Sequence, residues 1–246
     1  MRVQPLARQS ASFHLSAVAL VTICFWTTIA FAQVTTTPGS PVNVGQYEIE
    51  LRHYEESGQY QRDLAAVIGE AKRYLAQQAN RGGQLAMVLD IDETSLSNWP
   101  AISANDFTRI LDGPCYDLPH GPCGLNAWLT MACDRAIAPT LELYRQARKQ
   151  GVAIFFITGR HEGLRDATVR NLHNAGYDTW SDLVMEPDCL APASAAYFKA
   201  PARGKIVAKG YTIVVNVGDQ ASDLFGRLRG ANLQTAESVL CYSLSR

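Results

Sequence analysis

The sequence predicts an α/β protein: a parallel sheet with helices on both faces, a cap inserted after the first strand, and a helical segment at the N-terminal end. Three observations carry that expectation. Short apolar runs alternate with helix-length amphipathic stretches, the pattern of right-handed βαβ units. Three of those runs end in clusters of polar residues. A long segment bearing Gly, Pro, Cys and aromatic residues separates the first run from the second. Together these describe a Rossmann-like arrangement.

Before the fold comes an export signal. Arg2 and Arg8 precede an apolar stretch from His14 to Phe31, and Ala30-Phe31-Ala32 offers a small-x-small cleavage point. Residues 1–32 therefore read as a secretory signal peptide, with the mature chain beginning at Gln33. The stretch is short and broken by Thr22, Thr27 and Thr28, which argues against a membrane anchor. Ile23 is bulky where a lipoprotein signal carries a small residue before its cysteine. The expected location is secreted or periplasmic, with no stable membrane insertion once the signal is removed. Cys24 leaves with the signal. Cys115, Cys123, Cys133, Cys189 and Cys241 remain as disulfide candidates in an oxidising compartment, an odd set whose pairing the sequence leaves open. A zinc site built on Cys115, Cys123, Cys133 and His120 lacks the close cysteine pairs such sites carry.

Residues 33–46, rich in Thr, Pro and Gly, read as a linker, leaving 47–246 for the folded domain. Tyr47 to Gln78 has helical texture, with Tyr54, Leu64, Ile68, Ala71 and Leu75 at near-helical spacing and Arg81-Gly82-Gly83 ending the run. Leu85 to Leu89 is a short run suited to a strand buried on both faces. The segment 99–138 is too long for a plain connection and reads as a cap. A helix from Pro139 to Gln150 leads to a strand at Val152–Ile157. A helix from Leu164 to Ala175 leads to a strand near Asp182–Met185. A helix around Arg203 to Lys209 leads to a strand at Thr212–Val217. The composition, 47% hydrophobic and 18% charged with a formal net charge of -1, shows no basic excess that would point to a nucleic-acid polymer.

Ligands of open α/β sheets bind beyond the carboxyl ends of the strands. There the first strand presents Asp90-Ile91-Asp92-Glu93-Thr94, the second Thr158-Gly159-Arg160, and the third Gly218-Asp219-Gln220-Ala221-Ser222-Asp223. Residues i and i+2 of a strand point the same way, so Asp90 and Asp92 are expected to converge. At about 4 Å their charges repel by roughly 4 kcal/mol in an effective dielectric near 20, which calls for a cation or a proton. A carboxylate cluster with oxygen ligands suits Mg2+. A calcium loop fails, because Ser95 stands where glycine is needed and Ala101 where glutamate is needed.

Asp90-Ile91-Asp92-Glu93-Thr94, followed by Leu96-Ser97-Asn98, resembles the first motif of the haloacid dehalogenase (HAD) superfamily. The Ser-Asn extension is similar to its acid phosphatase branch, subfamily IIIB, with class C bacterial acid phosphatases and plant acid phosphatase and vegetative storage proteins as relatives. Phe155-Phe156-Ile157-Thr158-Gly159-Arg160 resembles the second motif. Tyr197-Phe198-Lys199, with Arg203 four residues on, resembles the third. Gly218-Asp219-Gln220-Ala221-Ser222-Asp223-Leu224 is similar to the fourth. Ser95 departs from a usual Leu, read as a packing change, and Lys205 is the alternative to Lys199 as the third-motif lysine.

The resemblance implies a secreted, Mg2+-dependent acid phosphatase acting through an aspartyl-phosphate, with small-molecule phosphomonoesters as substrates and nucleoside monophosphates as one class among them. Asp90 would be nucleophile and Asp92 general acid and base. Asp90, the Asp92 backbone carbonyl and Asp219 would hold the metal. Thr158 and Gly159 would meet phosphate oxygens, Lys199 would neutralise charge, and Asp223 would orient Lys199 or a metal-bound water. Trp99, Phe107, Tyr116 and Trp128 are available to stack on a leaving group, although packing within the cap is favoured for them. A catalytically weak storage or phosphate-binding protein and a phosphotransferase share the same motifs, and assembly into a homo-oligomer stays open. Carbon–halogen hydrolysis needs neither Asp92 nor a metal, so the acid pair disfavours it.

Overall fold

The computed structural model describes residues 43–112, 124–188, 195–224 and 240–243. The signal peptide and most of the linker lie outside these residues. Asn43 caps helix α1 (Val44–Glu56), its side chain accepting from the Gln46 N–H at 3.1 Å, so helix begins three residues before Tyr47. The single helix expected over Tyr47–Gln78 is instead two. Gly58, at φ 72°, turns the chain into the left-handed region and starts α2 (Gln59–Gln78). Leu64, Ile68, Ala71 and Leu75 form the buried stripe of α2.

Strand β1 (Leu85–Leu89) is followed by β2 (Leu96–Ser97), α3 (Trp99–Ala104), α4 (Gly124–Met131) and β3 (Arg135–Ala136). Next come α5 (Ala138–Lys149), β4 (Ala153–His161), α6 (Arg165–Asn174) and β5 (Asp182–Glu186). The chain continues through α7 (Ala196–Ala208), β6 (Thr212–Gly218), α8 (Ala221–Leu224) and β7 (Leu240–Ser243). The main sheet has the order β5-β4-β1-β6-β7, and every neighbouring pair is parallel.

Alternation along β1 explains why helices cover both faces. Met87 and Leu89 join one core with Ile68 and Leu75 of α2 and Leu143 and Tyr144 of α5. Ala86 and Val88 face the other way, toward Phe198, Ala202 and Ile206 of α7. The α/β architecture expected from the sequence is the one observed. Helix α7 starts seven residues before Arg203 and runs through Pro201, a residue that usually ends a helix; packing of Phe198 and Ala202 outweighs the lost backbone bond.

From β1 the chain goes to β4 on one side and later returns to β6 on the other, so β1 is the switch point where open α/β sheets hold ligands. The segment after β1 is pinned at its base, where β2 and β3 pair antiparallel. Within it, Gly124 at φ 81° sits where a Cβ would lie 2.6 Å from the Leu111 carbonyl oxygen, so only glycine fits that approach. No helix among the described residues is long and apolar enough to cross a membrane. Cys133 is a free, exposed thiol. Cys115, Cys123 and Cys189 lie outside the described residues, as does the Cys241 side chain.

Candidate active site

Strand β1 stops at Leu89, and the turn that follows decides the site. The N–H groups of Thr94, Ser95 and Leu96 all point to the Ile91 carbonyl, at 3.3, 2.9 and 2.8 Å. Glu93 takes up φ 51° within this turn. Asp90 and Asp92 therefore do not converge as two residues on one strand would. They go to different partners.

Asp90 stays with the sheet. Its N–H bonds the Val217 carbonyl at 3.0 Å, and its carbonyl accepts the Ser95 hydroxyl at 2.6 Å. Its carboxylate Oδ1 lies 2.7 Å from Lys199 Nζ, which also contacts Asp223 Oδ1. Lys199, not the exposed Lys205, is the lysine that α7 delivers to this point. Asp223 is held in turn by the Gln220 N–H on Oδ2 at 2.9 Å and by Asn216 Nδ2 on its carbonyl at 2.7 Å. Gly218 makes this possible, because a Cβ there would overlap the Asp223 side chain.

Asp90, Asp219 and Asp223 each place a carboxylate oxygen within 4.8 Å of the other two. Burial pushes the Asp90 carboxyl well up; Lys199 opposes that rise, and Asp223 and Asp92 add to it. Burial likewise raises Asp219 to about 6. Three crowded, buried carboxylates with one lysine among them are short of positive charge. The donor set, oxygen only and compact, fits a hard divalent cation. The Asp92 carboxylate is not part of this group.

Asp92 is bound on the other side. Arg160 donates to its Oδ1 from Nη2 at 2.8 Å and from Nε at 3.0 Å, and Asn98 Nδ2 donates to the same oxygen at 2.8 Å. Burial favours the neutral acid, but the adjacent Arg160 guanidinium outweighs it and holds the Asp92 carboxyl below its ordinary value. Arg160 also reaches Asp134 at 2.8 Å, and the Trp128 indole N–H donates to Asn98 Oδ1 at 3.1 Å. Thr158 Oγ1 lies 3.5 Å from Asp92 Oδ2 and accepts the Arg160 N–H at 3.1 Å. Glu93 takes the Asn98 N–H at 2.6 Å and is raised to about 8, chiefly by burial and then by the Asp92 charge.

A cavity of about 520 Å3 opens above these groups. Asp90, Asp92, Gly159, Lys199 and Asp219 line it, whereas Thr158 and Asp223 are buried and do not. Its far wall is apolar, formed by Ile102, Phe107, Leu111, Leu125 and Leu129. Trp99 packs between Tyr60, stacked at 6.0 Å, and Phe107, edge-on at 5.4 Å. Tyr116 is outside the described residues.

Residues 30–240 match the family described as HAD superfamily, subfamily IIIB (acid phosphatase). The chain belongs to that family. The acid phosphatase family chain is 32% identical over 179 residues to acid phosphatase 1 of Solanum lycopersicum, covering 72% of this chain and 66% of that one. It is 30% identical over 170 residues to vegetative storage protein 1 of Arabidopsis thaliana, covering 68% of this chain and 60% of the other. The alignments thus span about two thirds or less of these relatives' own lengths. In fold, the subfamily IIIB chain superposes on the class C acid phosphatase of Bacillus anthracis with a TM-score of 0.61 at 21% identity, over 82% of this chain and 85% of the other.

Arg160, Asn98, Asp134 and Ser95 had no site role in the sequence reading. Arg160 carried a signal: it is a cation directly following an almost wholly apolar strand run. Asp134 carried none, because only the fold brings it beneath Arg160.

Proposed function

We propose that this chain is an exported, Mg2+-dependent acid phosphatase that hydrolyses phosphomonoesters through an aspartyl-phosphate on Asp90. The observation that carries the reading is the Asp90 carboxylate, lining the cavity with Lys199 Nζ at 2.7 Å and two further carboxylates within cation-sharing reach. An Asp90 oxygen attacks phosphorus, and the ester oxygen leaves with a proton from Asp92. Water then attacks the phosphoryl group, Asp92 takes its proton, and phosphate departs with Asp90 regenerated. Asp90, Asp219 and the Asp92 carbonyl hold the Mg2+, with Asp223 close enough to join them. When bound, the ion offsets the carboxylate repulsion and polarises the phosphoryl oxygens. Lys199 neutralises the nucleophile and the phosphoryl charge, while Thr158 and Gly159 serve the phosphate end. The segment after β1 acts as the cap, its apolar wall receiving the leaving group, including the base of a nucleoside monophosphate.

Because Arg160 depresses Asp92, the acid form that donates a proton is populated toward low pH. That supports an acidic optimum; a rate rising steadily to about pH 9 would contradict it. Likeness to a vegetative storage protein favours one second reading, a phosphate-binding storage protein with little turnover. Hydrolysis of 4-nitrophenyl phosphate with and without EDTA, beside Asp90→Asn, separates the two. The enzyme reading expects turnover that EDTA removes and the variant lacks. Retention of about a tenth or more of the rate in Asp90→Asn sinks the nucleophile assignment.

A further inference from the structure

We propose that Arg160, anchored by Asp134, is a positioning residue that fixes which oxygen of Asp92 faces the reacting phosphoryl group; the inference rests on the phosphatase reading, in which Asp92 moves the leaving-group proton. The two oxygens of Asp92 are treated differently. Oδ1 accepts three donors: Asn98 Nδ2 at 2.8 Å, Arg160 Nη2 at 2.8 Å and Arg160 Nε at 3.0 Å. Its lone pairs are fully used. Oδ2 has only long contacts, from Arg160 Nε at 3.3 Å and Thr158 Oγ1 at 3.5 Å. The Asp92 side chain is 32% exposed and lines the cavity, while that of Arg160 is 1% exposed. The open edge of the carboxylate is therefore Oδ2, and a proton carried by Asp92 sits there.

The clamp is built on rigid elements. Arg160 belongs to β4 and shares its Nη2 with Asp134 Oδ2 at 2.8 Å. Asp134 is tied to α6 at both backbone atoms: Asn171 Oδ1 accepts its N–H at 3.2 Å, and Asn171 Nδ2 donates to its carbonyl at 2.8 Å. All three residues are buried. A planar guanidinium grips one carboxylate oxygen from two directions, which a lysine ammonium cannot reproduce.

A purely structural role and a positioning role differ in what they do to leaving groups. An alkoxide needs the Asp92 proton to depart; a 4-nitrophenolate does not. The experiment measures kcat/KM, which reports steps through phosphoenzyme formation, for an alkyl phosphate and for 4-nitrophenyl phosphate. Wild type, Arg160→Lys, Asp134→Asn and Asp90→Asn are run side by side. Arg160→Lys is expected to lose about 10²-fold on the alkyl ester and less than about 10-fold on the nitrophenyl ester. Asp134→Asn gives the same imbalance at about 10-fold. Parallel losses on both esters, or none, overturn the proposal. Should circular dichroism show Arg160→Lys unfolded, Asp134→Asn decides alone. No wild-type turnover, or an active Asp90→Asn, sinks the phosphatase reading and this inference with it; parallel losses in an active enzyme sink only the inference.

Discussion

Two carboxylates separated by one residue sit in opposite surroundings. Asp90 faces the β6 side, among Asp219 and Asp223 with Lys199 as the nearby cation, and its acid form is favoured. Asp92 faces the β4 side, gripped by Arg160 and Asn98, and its anion is favoured. The first half-site is a collection of acids that lacks positive charge and invites a cation. The second already contains its counter-charge. Nearness in sequence says little about electrostatic fate; the turn at Ile91 sends each acid to a different wall of the sheet's switch point.

The β6 half depends on a close approach, so adding one carbon should damage it most. Gly218→Ala overlaps Asp223 and displaces the Lys199 contact that Asp223 supports. A misplacement of about 1 Å at such a centre costs on the order of 10²-fold in kcat. Overpacking adds a loss of about 1–3 kcal/mol in stability. Denaturant melts and 4-nitrophenyl phosphate kinetics check both. A variant with unchanged kcat would mean that Asp223 is not needed where it stands.

The second test sharpens the charge contrast. Asp219 is raised from its ordinary 3.8 to about 6, chiefly by burial, so in metal-free protein it binds its proton more tightly folded than unfolded. A raised carboxyl gives stability that is complete below the unfolded value and is lost as pH climbs. Metal-free protein should therefore weaken between about pH 4 and 6, on the order of 2 kcal/mol from Asp219. Asp90 pulls in the same direction. Asp219→Asn should flatten the decline, and Mg2+ should stabilise wild type most above pH 6, where the carboxylates are ionised. Thermal melts across that range with EDTA or Mg2+ measure it. A metal-free protein that gains stability over the window would refute the charge-poor picture.

How much of this was readable beforehand follows the physics of range. Alternating apolar runs gave the strands, because burial on both faces of a parallel sheet leaves a local mark on Leu85–Leu89 and Thr212–Val217. The polar residues ending three strands marked the site for the same reason. The convergence of Asp90 and Asp92 was misjudged, since strand geometry was extended past Leu89 into what is a turn. The start of α7 was missed because Pro201 signals a stop locally, while the core contacts that override it come from other strands. Arg160 was visible but without a role, and Asp134 was invisible, for its partner lies 26 residues away.

Ser95 joins the two halves, and its loss should have the smallest effect. The sequence reading took its departure from Leu as a matter of packing. In the structure its hydroxyl donates to the Asp90 carbonyl at 2.6 Å, while its own carbonyl accepts the Tyr177 hydroxyl and the Ile137 N–H, each at 3.0 Å. The side chain thus fastens the backbone of Asp90 to the turn that aims Asp92. Ser95→Ala removes one buried hydrogen bond, worth about 1 kcal/mol. Tyr177 and Ile137 still hold the turn through the Ser95 backbone, so kcat should fall by less than about 10-fold, with both esters affected alike. That even loss would contrast with the uneven one expected of Arg160→Lys. A selective loss on the alkyl ester in Ser95→Ala would show that the aim of Asp92 is set by the turn and not by the guanidinium.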